Sequence, residues 1–133
     1  MRILVALVSA LALTLLPAMP AQAAPAATSK IVGTWKGESS GYEGGVYVSR
    51  ELRWTITKSK GPAFTGTKSW RDVGGKWSAP EVMNGVLLSN GEVRWADEDG
   101  TFLGMLDGGH ISGTYLEPGS DSAAFSQHLK KVK

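Results

Sequence analysis

The 133-residue chain contains no cysteine. It can form no disulfide, thiol nucleophile or thiolate metal site, so packing and hydrogen bonds have to supply its stability. Histidine is nearly as scarce. His110 and His128 have no second ligand at a metal-site spacing and lie on the polar parity of the strands proposed below, so no metal site is expected. Charge of one sign is also sparse, with 14 basic residues against 12 acidic ones. Lys and Arg are interspersed with Asp and Glu, and only Lys130, Lys131 and Lys133 gather at the end. That distribution excludes the basic face of a nucleic-acid binder. No stretch after Ile31 repeats apolar residues at helical spacing for three turns, which excludes a helical domain.

One long apolar run is present, from Ile3 to Leu16 behind Arg2. Pro17 and Pro20 end it, and Ala21-Gln22-Ala23 places small residues where a signal peptidase reads them. Residues 1–23 are therefore expected to be a secretory signal peptide cleaved after Ala23. The run is shorter than the roughly 20 residues of a bilayer-spanning helix, so the mature form is expected to be secreted or periplasmic, without a membrane segment. Residues 24–30, rich in Ala with one Pro, read as a flexible leader, and residues 31–133 as a single domain. Loss of Arg2 lowers the whole-chain balance of +2 to about +1.

Within the domain, short β-prone runs recur about every ten residues, each closed by Gly, Pro, Asn or Asp. Strands are expected at 31–38, 46–58, 63–71, 82–89, 92–97, 101–106, 110–116 and 123–130. Asn90-Gly91 is the strongest hairpin signal, since a type I′ turn needs positive φ at both central residues. Asp99-Gly100, Asp107-Gly108-Gly109 and Pro118-Gly119 mark later corners. The longer stretch Arg71 to Pro80 is expected to be a loop over one end of the sheet. Eight strands in succession make an all-β, antiparallel up-and-down barrel, because closure removes exposed edges.

Alternation along each strand selects the inward side chains. Leu52, Trp54 and Ile56 share one face, as do Phe64, Gly66, Lys68 and Trp70, Val93 and Trp95, Ile111, Gly113 and Tyr115, and Phe125, Gln127 and Leu129. This places Arg50, in line with Trp54, and Lys68 among the interior residues. Buried cations need acidic partners or an open mouth. On one reading they sit in water at strand ends with their stems on the wall. On the other, Arg50, Trp54, Lys68, Trp70, Trp95 and Tyr115 line a pocket for a small ligand with an anionic or polar group.

Gly33-Thr34-Trp35, Phe64-Thr65-Gly66-Thr67 and the echo Ile111-Ser112-Gly113-Thr114-Tyr115 resemble motifs of avidin-like and, more broadly, lipocalin-like (calycin) barrels. The resemblance implies an eight-stranded barrel whose Gly-x-Trp tryptophan closes the base. The residues that contact biotin in avidins are not matched: Gly37, Gly41, Lys68 and Trp70 stand at four of those positions. The resemblance therefore does not imply biotin binding.

No catalytic constellation emerges, and no cofactor is implied. Ser126 and His128 share a face without an elbow motif or an oriented carboxylate. Asp97-Glu98-Asp99-Gly100 lacks the spaced ligands of a calcium loop and reads as a hairpin turn with solvated charges. Glu92, Asp97 and Asp99 have no fixed separation that would define a glycosidase pair. The leading expectation is a non-enzymatic small-ligand-binding barrel with its pocket at the mouth. The alternative is an exported interaction protein, such as a protease inhibitor, with the barrel as scaffold and residues 24–30 as the active segment. A cavity of several hundred Å³ beneath Trp54, Trp70 and Trp95 supports the first and a filled core removes it, while deletion of residues 24–30 separates the two. No motif prescribes an oligomeric state.

Overall fold

The computed structural model describes residues 30–132. The segments expected from the sequence to be a signal peptide (1–23) and most of a flexible leader (24–29) lie outside the described residues. Eight strands follow in order: β1 (Gly33–Glu43), β2 (Val46–Lys60), β3 (Ala63–Asp72), β4 (Glu81–Leu87), β5 (Glu92–Ala96), β6 (Thr101–Asp107), β7 (His110–Glu117) and β8 (Ala123–Lys131). Each pairs antiparallel with the next, and β8 returns to β1 to close the barrel. The up-and-down barrel expected from the sequence is the fold.

Differences from the expected elements have local causes. β1 runs on through Ser39-Ser40-Gly41 to Glu43, although these residues are weak strand formers. Pairing on both sides holds them, with Gly41 opposite Val48 and Phe125. A Cβ on Gly41 would lie 1.9 Å from the Ala124 carbonyl oxygen, so only glycine allows that approach. The β4–β5 corner is not a type I′ turn. Leu88 O accepts from Gly91 N at 3.0 Å, Gly91 alone takes positive φ (88°), and Asn90 Oδ1 accepts from Glu92 N at 3.0 Å. Three residues lie in the loop, and a type I turn closed by a left-handed glycine suits that length. The 73–80 segment does not cross the barrel end. It turns back along β3 through Ser78 N to Trp70 O (2.7 Å), and Trp77 lies on the outer wall between the guanidinium groups of Arg53 (4.4 Å) and Arg71 (4.7 Å).

The β2–β3, β4–β5 and β6–β7 turns gather at one end, the base. Fully buried Trp35 donates its indole N–H to Ile31 O at 2.8 Å there, and Ile31 is itself fully buried. Above them the barrel is filled. Trp54, Trp95 and Phe102 pack with ring centroids 5.1 to 5.5 Å apart, Trp54 edge-on to the other two. Gly104 faces Gly113 across β6 and β7, and a Cβ on either would come within 2.5 Å of the Phe102 ring. These glycines let a phenyl ring lie flat against the wall, which is how a small barrel takes so many aromatics. Among the described residues, Trp54 and Trp95 find no partner for their indole N–H groups in this packing.

Candidate functional site

The opposite end, the mouth, is where the inward rows become polar. On β2 the row Ile56, Trp54, Leu52 ends in Arg50, on β3 Phe64 and Gly66 give way to Lys68 and Trp70, and on β8 Leu129 is followed by Gln127 and Phe125. These side chains enclose a recess of about 130 Å³, lined also by Ser39, Glu43, Glu81, Asp99, Tyr115 and Glu117.

Lys68 is buried, and its ammonium pairs with the fully buried carboxylate of Asp97 and with Glu81 (3.1 Å), the residue opposite it on β4. It also donates to the Tyr115 hydroxyl (3.2 Å), which in turn donates to Asp97 Oδ1 (3.0 Å). Asp97 Oδ1 further accepts from the backbone N–H groups of Gly100 (2.7 Å) and Asp99 (3.0 Å), so one carboxylate both shapes the β5–β6 turn and holds the interior cation. Burial pushes the Asp97 carboxyl up. The hydrogen bonds from Lys68, Gly100 and Tyr115 and the charge of Lys68 outweigh that and hold it below the ordinary carboxylate range. Burial, with the adjacent Asp97 charge, pushes the Tyr115 phenol far up, so it stays a neutral donor.

Arg50 sits higher, with its guanidinium bonded to Glu43 and 3.5 Å from Asp72. It covers the Trp70 ring at 4.4 Å and reaches toward Phe125 at 5.4 Å. Burial pulls its proton affinity down, but the Glu43 and Asp72 carboxylates more than restore it.

The structure thus brings Arg50, Lys68, Trp70 and Tyr115 together around the recess. Trp54 and Trp95 are placed beneath it, where their rings and Phe102 pack against one another in the core. Asp97 is a correction. It is not a solvated turn charge, because its side chain is 0% exposed and accepts from several donors. The signal was in the parity, since Val93, Trp95 and Asp97 are alternate residues and Asp97 continues the inward row.

His128 lies on the exposed outer wall, its Nδ1 3.1 Å from Ser112 Oγ and its Nε2 3.2 Å from Ser126 Oγ, and among the described residues no carboxylate is bonded to it. His110 is exposed as well. Among the described residues no group of three or more His, Asp or Glu converges as a metal site.

No family model matches the chain. No curated protein matches it either. Among solved structures, the zebrafish ileal bile acid-binding protein in complex with cholic acid is similar at 19% sequence identity and a TM-score of 0.43, over 77% of this chain and 99% of that one.

Proposed function

We propose that this chain is an exported, non-enzymatic barrel that binds a compact small molecule in the recess at its mouth. One observation carries the reading: a filled aromatic core ends in a recess whose walls hold buried polar side chains, Lys68, Gln127 and Ser39. Burying such groups costs free energy even when they are paired, and an apolar cap would be cheaper for a scaffold. The volume restricts the ligand to something occupying about four waters' worth of space. The carboxylate of Asp97, bonded on several sides, is not free to act as a base, which supports binding rather than catalysis. The match of Gly37, Gly41, Lys68 and Trp70 to none of the avidin contacts supports a ligand other than biotin.

Native mass spectrometry of protein purified from its own host tests the reading. A bound small molecule that is lost from the Trp70→Ala variant, while the variant still melts cooperatively, is the expected result. Equal loss of folding and of binding would count against the recess.

The filled core also favours a second reading, the barrel as an interaction scaffold. Tyr42 and Tyr47 are opposed on β1 and β2, 62% and 60% exposed on the outer rim, and apolar surface of this kind is used in protein contacts. A partner protein in the same native spectra, with an empty recess, would select it.

A further inference from the structure

The cations of this chain are placed by two different rules. At the mouth six carboxylates, those of Glu43, Asp72, Glu81, Asp97, Asp99 and Glu117, surround Arg50 and Lys68, and each of the two cations is paired twice. On the outer wall nearer the base, strand pairing does the reverse. Arg53 on β2 lies opposite Lys36 on β1, Lys36 opposite Lys130 on β8, and Lys130 opposite His110 on β7. They alternate with the buried Trp54, Trp35, Leu129 and Ile111, so they stand outward in one row round the wall. Cations interspersed with acids along the chain are thereby collected, with opposed Cβ atoms about 5 Å apart.

Like charges directly opposite one another destabilise a sheet. No acid relieves these. Among the described residues Arg53, Lys36 and Lys130 make no ion pair, and Glu38, two residues from Lys36 on the same face, pairs with neither lysine. Arg53 lies against the Trp77 ring at 4.4 Å, and its Nε finds no hydrogen-bond partner among the described residues. A second observation concerns the next row toward the base. Thr34, Thr55 and Thr67, on β1, β2 and β3, are direct partners in turn and face outward by the same alternation. A row of uncompensated cations therefore runs beside a row of hydroxyls.

We propose that this face binds a linear anionic polysaccharide, whose charged groups pair with Arg53, Lys36 and Lys130 while its hydroxyls bond to the threonine row. The site is separate from the recess and does not depend on a ligand there. Three strand spacings make the cation row about 14 Å long. It follows the curve of the closed barrel across four strands. A flexible chain can track that curve, whereas a planar bilayer meets a convex wall over one or two strands. A single-stranded nucleic acid calls for aromatic stacking platforms, and Trp77, the ring beside Arg53, is already engaged by two guanidinium groups.

The test titrates the full folded protein, followed by calorimetry, with dextran sulfate, uncharged dextran, phosphatidylglycerol vesicles and oligothymidylate. Dextran sulfate is expected to bind and dextran is not. Raising salt from about 50 to about 200 mM should weaken dextran sulfate at least about tenfold, as counterion release at three cations requires. Lys36→Gln and Lys130→Gln should each weaken it several-fold, and the double variant should lose it. The melting temperature of that double variant should not fall, because a like-charge repulsion has been removed. Lys58→Gln with Lys60→Gln removes the same charge at the β2–β3 turn, off the row, and should leave binding nearly unchanged. Equal loss in the two double variants overturns the assignment, since net charge alone would then govern. Absence of dextran sulfate binding overturns it too, as does tighter binding of the vesicles or of oligothymidylate, which would give the face to a bilayer or to a nucleic acid.

Discussion

The two ends of the barrel are built from the same strands but by opposite rules. At the base, Ile31, Trp35, Met83, Val93 and Ile111 are fully buried, and the only side-chain hydrogen bond among them is the Trp35 indole to Ile31 O. At the mouth, within two or three residues on the same inward rows, the chain buries an ammonium, a carboxylate, an amide and two hydroxyls. Apolar burial favours folding by about 25 cal/mol per Å², whereas a buried ion pair roughly breaks even against an apolar substitute. The base therefore accounts for stability. The mouth spends part of it on a polar arrangement that folding alone does not require.

The largest effect should come from the core beneath the recess. Trp54→Ala is expected to cost about 3–5 kcal/mol in denaturant unfolding. Trp70→Ala, at the half-buried rim, should cost clearly less, and equal costs would break the contrast between the two ends. Next comes Lys68→Met, which strands the buried Asp97 carboxylate and should cost about 3 kcal/mol. Adding Asp97→Leu to Lys68→Met should recover part of that loss, because neither charge is then left alone. If the double variant is worse than the single one, the Asp97 contacts to the β5–β6 turn matter more than the ion pair.

A smaller effect concerns pH. Asp97 has a folded value below its unfolded value near 3.8, so its contribution is fully present above that pH and is lost as pH falls through the folded value. Urea midpoints of the parent should fall as pH is lowered below about 4, and those of Asp97→Asn should fall less steeply there. Glu117 behaves in the opposite sense. Its folded value lies above the ordinary 4.5, so its penalty is absent at low pH and grows as pH rises through the folded value. The smallest effect expected is therefore a slight rise in the melting temperature of Glu117→Gln at pH 7, with no difference near pH 4. A decrease at pH 7 would mean that Glu117 stabilises the mouth and is not held there at a cost.

Much of the barrel was legible in the chain because its corners carry residues with a mechanical reason to turn. Gly108 and Gly109, at φ 52° and 82°, form the two-residue β6–β7 hairpin that the Asp107-Gly108-Gly109 corner announces. Inward parity was legible for the same reason: Trp54, Phe64, Val93, Ile111 and Phe125 are all buried as alternation requires. Where the reading failed, a local signal was overruled by pairing. Ser39-Ser40-Gly41 looked like an end to β1 and is held as strand by neighbours on both sides. Arg71 to Pro80 looked like a loop over one end of the sheet, but Trp77 found two guanidinium groups on the outer wall.

The order of apolar and polar residues, with glycine at the corners, was enough by itself to determine eight antiparallel strands, their closure and which side chains turn inward. Alternation and turn chemistry are local properties, readable over a few residues. Only the tertiary structure decided that Trp54 and Trp95 fill the core, that Asp97 leaves solvent to hold Lys68, and that the mouth ends with carboxylates in surplus. Those outcomes depend on contacts between residues far apart in the chain, 47 positions for Lys68 and Tyr115 and 88 for Gln127 and Ser39. Whether a buried charge is compensated is settled by what the closed barrel brings opposite it, and no short stretch of sequence contains that information.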